Sequence, residues 1–119
     1  MSTEPTLAAM LTAAEAARTA NHEAPTAPRT TTSVYVRIGA LVDLLAKVDQ
    51  LASVLAEHVQ ALVDDPALRA DDRGNAPGRA VKAAALLRHA AALIEHAGTK
   101  ANDAWSHTGS LYLDASKEK

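Results

Sequence analysis

Imidazole is the side chain most able to ligate a metal or move a proton near neutral pH, and this chain of 119 residues has five: His22, His58, His89, His96 and His107. His89, His96 and Asp103 recur every seven residues. On a helix that is two turns, about 10.5 Å, too far for one ion to bridge. Helical metal sites use closer pairs, as in Glu-x-x-His or His-x-x-x-His, and neither element occurs. His58 lies on the flank of its helix and meets His89 or His96 only if a hairpin brings them together. The expectation is polar histidines at a bundle rim, with no metal and no cofactor.

Other chemistries find no better footing. Cys is absent, which removes thiolate zinc sites, cysteine nucleophiles and disulfides together. There is no Gly-x-Ser-x-Gly turn, no Gly-rich phosphate loop and no Walker element. The acids fall on solvated faces or in a loop, whereas di-iron bundles place Glu inside the helix stripes. No catalytic residue is expected, and the chain reads as non-enzymatic.

The elements that would position any site are helices. Apolar residues make up 48% of the chain but aromatics only 3%, with no Phe. The difference is mostly Ala, the best helix former. Few aromatic and β-branched residues argue against a β-sandwich or barrel. Residues 5–20 place Leu7, Met10, Leu11 and Ala14 at helical spacing behind Pro5, predicting a short, weakly amphipathic helix. Pro25 and Pro28 with the Thr/Ser cluster make 21–33 a linker.

The strongest pattern lies in 34–64. Val34, Leu41, Val48, Leu55 and Leu62 recur every seven residues, as do Ile38, Leu45, Ala52 and Val59 in the complementary phase. This is a coiled-coil a/d heptad, with Ser33 the expected N-cap. Leu44 and Leu51 on one flank, with Val42 and Val63 on the other, widen the stripe beyond one seam, as for a helix with two or more neighbours. Asp43, Lys47, Gln50, Glu57 and Gln60 form the solvated face. After a loop across 64–77, Asn75 and Pro77 signal a second helix to about residue 113. Its expected stripe is Ala83, Leu86, Leu87, Ala90, Leu93, Ile94, Ala97, Ala101, Ala104, Thr108 and Leu111, with Gly98 and Gly109 as points of kinking or fraying.

The fold predicted is all-α: a short N-terminal helix and linker (1–33), a long antiparallel helical hairpin (34–114) and a frayed tail (115–119). Two helices bury one seam and the stripe asks for two. The hairpin is therefore expected to pair with a second copy as a helical bundle, a homodimer, although the N-terminal helix folding back would also cover a face. The expected interface is Ile38, Leu41, Leu45, Val48, Leu55, Val59 and Leu62, with Trp105 and Tyr112. Trp105 has two readings: a cover for the open end of the bundle, its indole N–H on a carbonyl or water, or an anchor for a partner.

Thr32-Ser33-Val34-Tyr35-Val36-Arg37-Ile38, followed by a helical Leu/Asp pattern through Ala52, resembles the opening of ribbon-helix-helix DNA-binding proteins. The resemblance spans about twenty residues and implies that 32–38 form a strand paired across a dimer and set in the major groove. It departs from that family in its heptads, which run on through Val59 and Leu62 where a turn belongs. The two-helix layout is also similar to that of small secreted hairpins with a Trp-x-Gly turn. Here Trp105 sits near the end of the second helix instead, so nothing of that family is carried over.

A net charge of −2, with no basic arm or stripe, is not the footprint of a nucleic-acid binder. The start of the chain lacks the basic and continuous apolar regions of a secretory leader, and no run approaches the ~18–20 apolar residues of a membrane span. The sequence thus predicts a small cytoplasmic helical module for protein–protein association, with itself first and with an unidentified protein second, and DNA binding through 32–38 as the alternative.

Overall fold

The computed structural model describes residues 4–114 as helices joined by loops, with no strand among them. The chain divides into two compact units, one ending at Thr30 and the other beginning at Thr31. The predicted tail, 115–119, lies outside the described residues.

The first unit is α1, Pro5–Glu23, closed by a single 3₁₀ turn over Ala24–Thr26. Glu4 caps it: its carboxylate accepts from the backbone N–H of Thr6 at 2.9 Å and of Leu7, and Pro5 occupies a position where no N–H is needed. The helix continues three residues past the expected end, into a stretch taken from sequence as linker. Leu7 and Leu11 of its apolar stripe are exposed.

The second unit is the predicted hairpin, α2 (Thr31–Leu62) packed against α3 (Ala76–Thr108). Because α2 starts at Thr31, Ser33 lies inside its first turn and is not the cap. For the same reason the strand expected at 32–38 does not form. Val34 and Ile38, four apart, are both half-buried on the helix, and packing of that face overrides the β preference of Val and Ile. The ribbon-helix-helix resemblance loses the element on which it rests.

The seam is one residue out of phase with part of the sequence reading. Ile38, Leu45, Ala52 and Val59 face α3 as predicted, but their companions are Val42, Asp49, Ala56 and Val63 rather than Leu41, Val48, Leu55 and Leu62. On α3 the seam is Ala84, Leu87, Ala91, Ile94, Gly98, Ala101, Trp105 and Thr108, while Ala83, Leu86, Leu93, Ala97 and Ala104 of the expected stripe are exposed. The cause is side-chain size. The buried residues are Ala56, Ala76, Ala80, Ala84 and Ala91, and Ala on Ala brings helix axes toward the lower end of the ~8–10 Å range. A seam centred on Leu55 would hold them apart.

The ends of α3 follow from local chemistry. Asn75 Oδ1 accepts from the N–H of Gly78 at 2.9 Å, and Pro77 sits in the first turn. Replacing Asn75 with Ala is expected to lower stability by about 1 kcal/mol, read as a shift in the urea midpoint. At the other end the helix stops at Thr108, five residues short of expectation. The hydroxyls of Thr108 and Ser110 bind the carbonyls of Trp105 and His107 at 2.8 and 2.9 Å, and the Gly109 N–H bonds the Trp105 carbonyl. These bonds close the last turn, which satisfies carbonyls that a continuing helix would otherwise use. Gly98 lies within the unbroken helix.

Candidate interaction face

The side chains that flank the seam divide the hairpin into two unlike faces. On each helix, the residue after a seam position is swept about 100° to one side and the residue before it to the other. Antiparallel packing reverses both the chain direction and the direction in which the seam points. The positions that follow the seam on the two helices therefore share one side, and the positions that precede it share the other.

The following positions are polar or small. They are Asp43, Ala46, Gln50, Ser53, Glu57 and Gln60 on α2 and Arg88, Ala92, Glu95, Thr99, Asn102 and Ser106 on α3. Ala46 from one helix and Glu95, Thr99 and Asn102 from the other line a common shallow groove of about 290 Å³, which fixes them on one side. The Lys47–Asp43 ion pair, 2.5 Å, lies outward of this side.

The preceding positions are apolar. On α2 they are Leu41, Leu44, Val48, Leu51, Leu55 and Leu62, with Arg37 ahead of them and His58 between; on α3 they are Ala83, Leu86, Ala90, Leu93, Ala97 and Ala104, with Lys100 between and His107 at the end. Leu44 is 47% exposed, Leu93 57% and Leu86 62%. Isolated exposed leucines are ordinary on a protein surface, whereas these stand together on two adjacent helices.

The interface residues expected from sequence are thus split by the fold. Ile38, Leu45 and Val59 are spent in the seam of the hairpin itself. Leu41, Val48, Leu55 and Leu62 stand on the open face, three of them exposed and Leu55 half-buried. Leu44, Leu51, Leu86 and Leu93 belong with them and were absent from the expected interface. The signal that finds them is their spacing: each stands one residue before a seam position.

Trp105 and Tyr112 are separated rather than clustered. Tyr112 lies beyond α3 and is 81% exposed. Trp105 occupies a seam position, its ring 5.4 Å from that of Tyr35, tilted by 34°, and laid over Gly39. A Cβ at Gly39 would approach two indole carbons to 2.8 Å. The glycine is there because the ring fills the space a side chain would take. The indole N–H is buried with no protein acceptor within hydrogen-bond distance.

The histidines do not converge. His58, His89, His96 and His107 are exposed, and among the described residues no group of three or more His, Asp or Glu is placed to hold a metal. The loop between the helices carries the tightest polar arrangement. Asp72 accepts from Arg79 at 2.6 Å and from the Gly74 N–H at 2.9 Å. The guanidinium first, and the amide second, hold its carboxyl below the usual range. Arg73 beside it adopts a left-handed backbone, φ 64°, so this turn is fixed by an ion pair across it. These contacts order the link between the helices, and no nucleophile stands within them. No helix among the described residues is long and apolar enough to cross a membrane. No protein-family model, no curated protein and no solved structure matches this chain.

Proposed function

We propose that this chain is a non-enzymatic association module, a rigid two-helix platform that works by burying its apolar face against a second copy of itself. The observation that carries this reading is the contrast between the hairpin's two sides, apolar before the seam and polar after it, on both helices at once. A helix selected only to form the hairpin has no use for a second leucine row.

The size of the face supports a stable contact. From Leu41 to Leu62 it runs about 32 Å at 1.5 Å per residue, and two helices make it ~20 Å wide. That is on the order of 600 Å² for each copy, above the ~500 Å² per partner at which specific interfaces begin. The leucines of this face are already about half covered, so burying the rest adds about 0.7–1.5 kcal/mol each, and several together offset the cost of association.

Sedimentation equilibrium of the purified chain tests the reading. The expected mass at tens of micromolar is twice the 12.4 kDa of one chain, falling toward one chain on dilution. A monodisperse monomer across that range would end it. The compartment follows by expectation only: the cytoplasm, for a module with no membrane-spanning helix among its described residues.

A further inference from the structure

The open face is not uniform, and its asymmetry says how two copies meet. On α2 the row nearest the seam is Leu41, Val48, Leu55 and Leu62; on α3 it is Ala83, Ala90 and Ala97, continued by Ala104. The near row of α2 is a ridge of large side chains and the near row of α3 a shelf of methyl groups, with Leu86 and Leu93 along its outer edge. Resting on the self-association proposed above, we infer that the leucine row of α2 seats on the alanine row of α3 in the second copy, about a two-fold axis parallel to the helices.

Two stacking arrangements bring the faces together. With the axis across the helices, α2 lies on α2 and α3 on α3. Leucine against leucine then needs a wide interaxial spacing, near ~10 Å, while alanine against alanine closes toward ~8 Å. Each hairpin is held flat by its Ala seam, so the two spacings cannot both be met without wedging the faces apart. With the axis along the helices, both contacts are α2 on α3. They are identical by symmetry, and each pairs large side chains with small, the complementarity that fills a core without voids.

The arrangement fixes the level at which residues meet. Leu45 faces Gly98 across the seam, so thirteen residues further along α2 and twelve back along α3 place His58 level with Leu86 to within ~1.5 Å. A two-fold parallel to the helices preserves level. His58 of one copy therefore comes beside Leu86 of the other, both on the open face and turned toward the opposite copy.

The chain has no cysteine, so His58→Cys and Leu86→Cys each introduce a single thiol. The two variants are mixed, exchanged and mildly oxidised, with masses checked by sedimentation. The expected result is a disulfide-linked dimer at least tenfold more abundant in the mixture than in either variant alone. A variant that links to itself as efficiently as the mixture overturns the arrangement, as does a non-covalent dimer in which the mixture fails to link. In those two outcomes the protein still dimerises and only the arrangement falls. A monomeric mass removes the self-association beneath it.

Discussion

Aspartate at position 45 is expected to unfold the hairpin, and aspartate at position 44 to leave it folded but monomeric. The two leucines are neighbours in sequence and about 100° apart on α2. Leu45 stands in the seam, its Cβ 3.9 Å from the position a Cβ would take on Gly98. A carboxylate there loses the leucine's contacts, ~2–5 kcal/mol for a large-to-small change, and adds the cost of an unpaired charge against the facing helix. That total rivals the whole stability of a domain this size, about 0.05–0.15 kcal/mol per residue. Leu44 is half-exposed on the open face and contributes little to the hairpin. In the dimer its remaining exposed half is buried twice, once per copy, so its loss removes about 1.5–3 kcal/mol of association, a weakening of about tenfold or more, to which the aspartate charge adds. Circular dichroism and sedimentation on both variants read the difference. Full helicity with a monomeric mass for Leu44→Asp, beside lost helicity for Leu45→Asp, is the expected pair. A dimeric Leu44→Asp would remove the open face from the interface.

The second large effect is a change of sign at Gly39. Gly to Ala within a helix ordinarily stabilises by about 0.5–1 kcal/mol. At Gly39 the new methyl enters the space of the Trp105 ring, 2.8 Å from two of its carbons, and the ring is held on its other side by Tyr35. Overpacking of this kind costs ~1–3 kcal/mol. The net expectation is a loss, with Trp105 pushed toward water and its fluorescence shifted to the red. Trp105→Ala alone is expected to cost about 3 kcal/mol. In that background Gly39→Ala meets open space and should become stabilising. The reversal, read from urea midpoints of the four proteins, is a coupling that only direct contact between the two positions produces. The same cycle decides between the two sequence readings of Trp105: Trp105→Ala with lower stability and an intact dimer makes it a structural cover of the hairpin end, and a lost dimer on an intact fold makes it an anchor.

The helices were legible in the sequence because Leu and Val at period seven, Asn75-Ala-Pro77 and the Pro/Thr segment each act locally. The phase of the seam was not. The row of Leu41, Val48, Leu55 and Leu62 and the row of Val42, Asp49, Ala56 and Val63 differ by one residue, and periodicity gives larger weight to leucine. What decides between them is how closely two backbones approach, which depends on Ala80, Ala84 and Ala91 of the other helix. Hydrophobicity scales rate those methyls low, yet they set the geometry. Short β-branched runs such as Val34-Tyr35-Val36 are ambiguous for a related reason, since the helix gains its stability there from residues far along the chain. Leu86 and Leu93 were placed in a stripe, correctly as apolar and incorrectly as covered.

That the buried residues are all alanine also bears on what stability means for this molecule. Among the described residues no large side chain is fully removed from water, so a lone hairpin exposes little new apolar surface when it melts. Its heat-capacity change on unfolding is correspondingly small, and its stability curve is shallow over temperature. Further apolar surface stands exposed on the open face, where Leu41, Leu44, Leu86 and Leu93 lie. If the proposed dimer forms, assembly adds its free energy to that of a marginal hairpin, and the melting point is expected to rise with protein concentration.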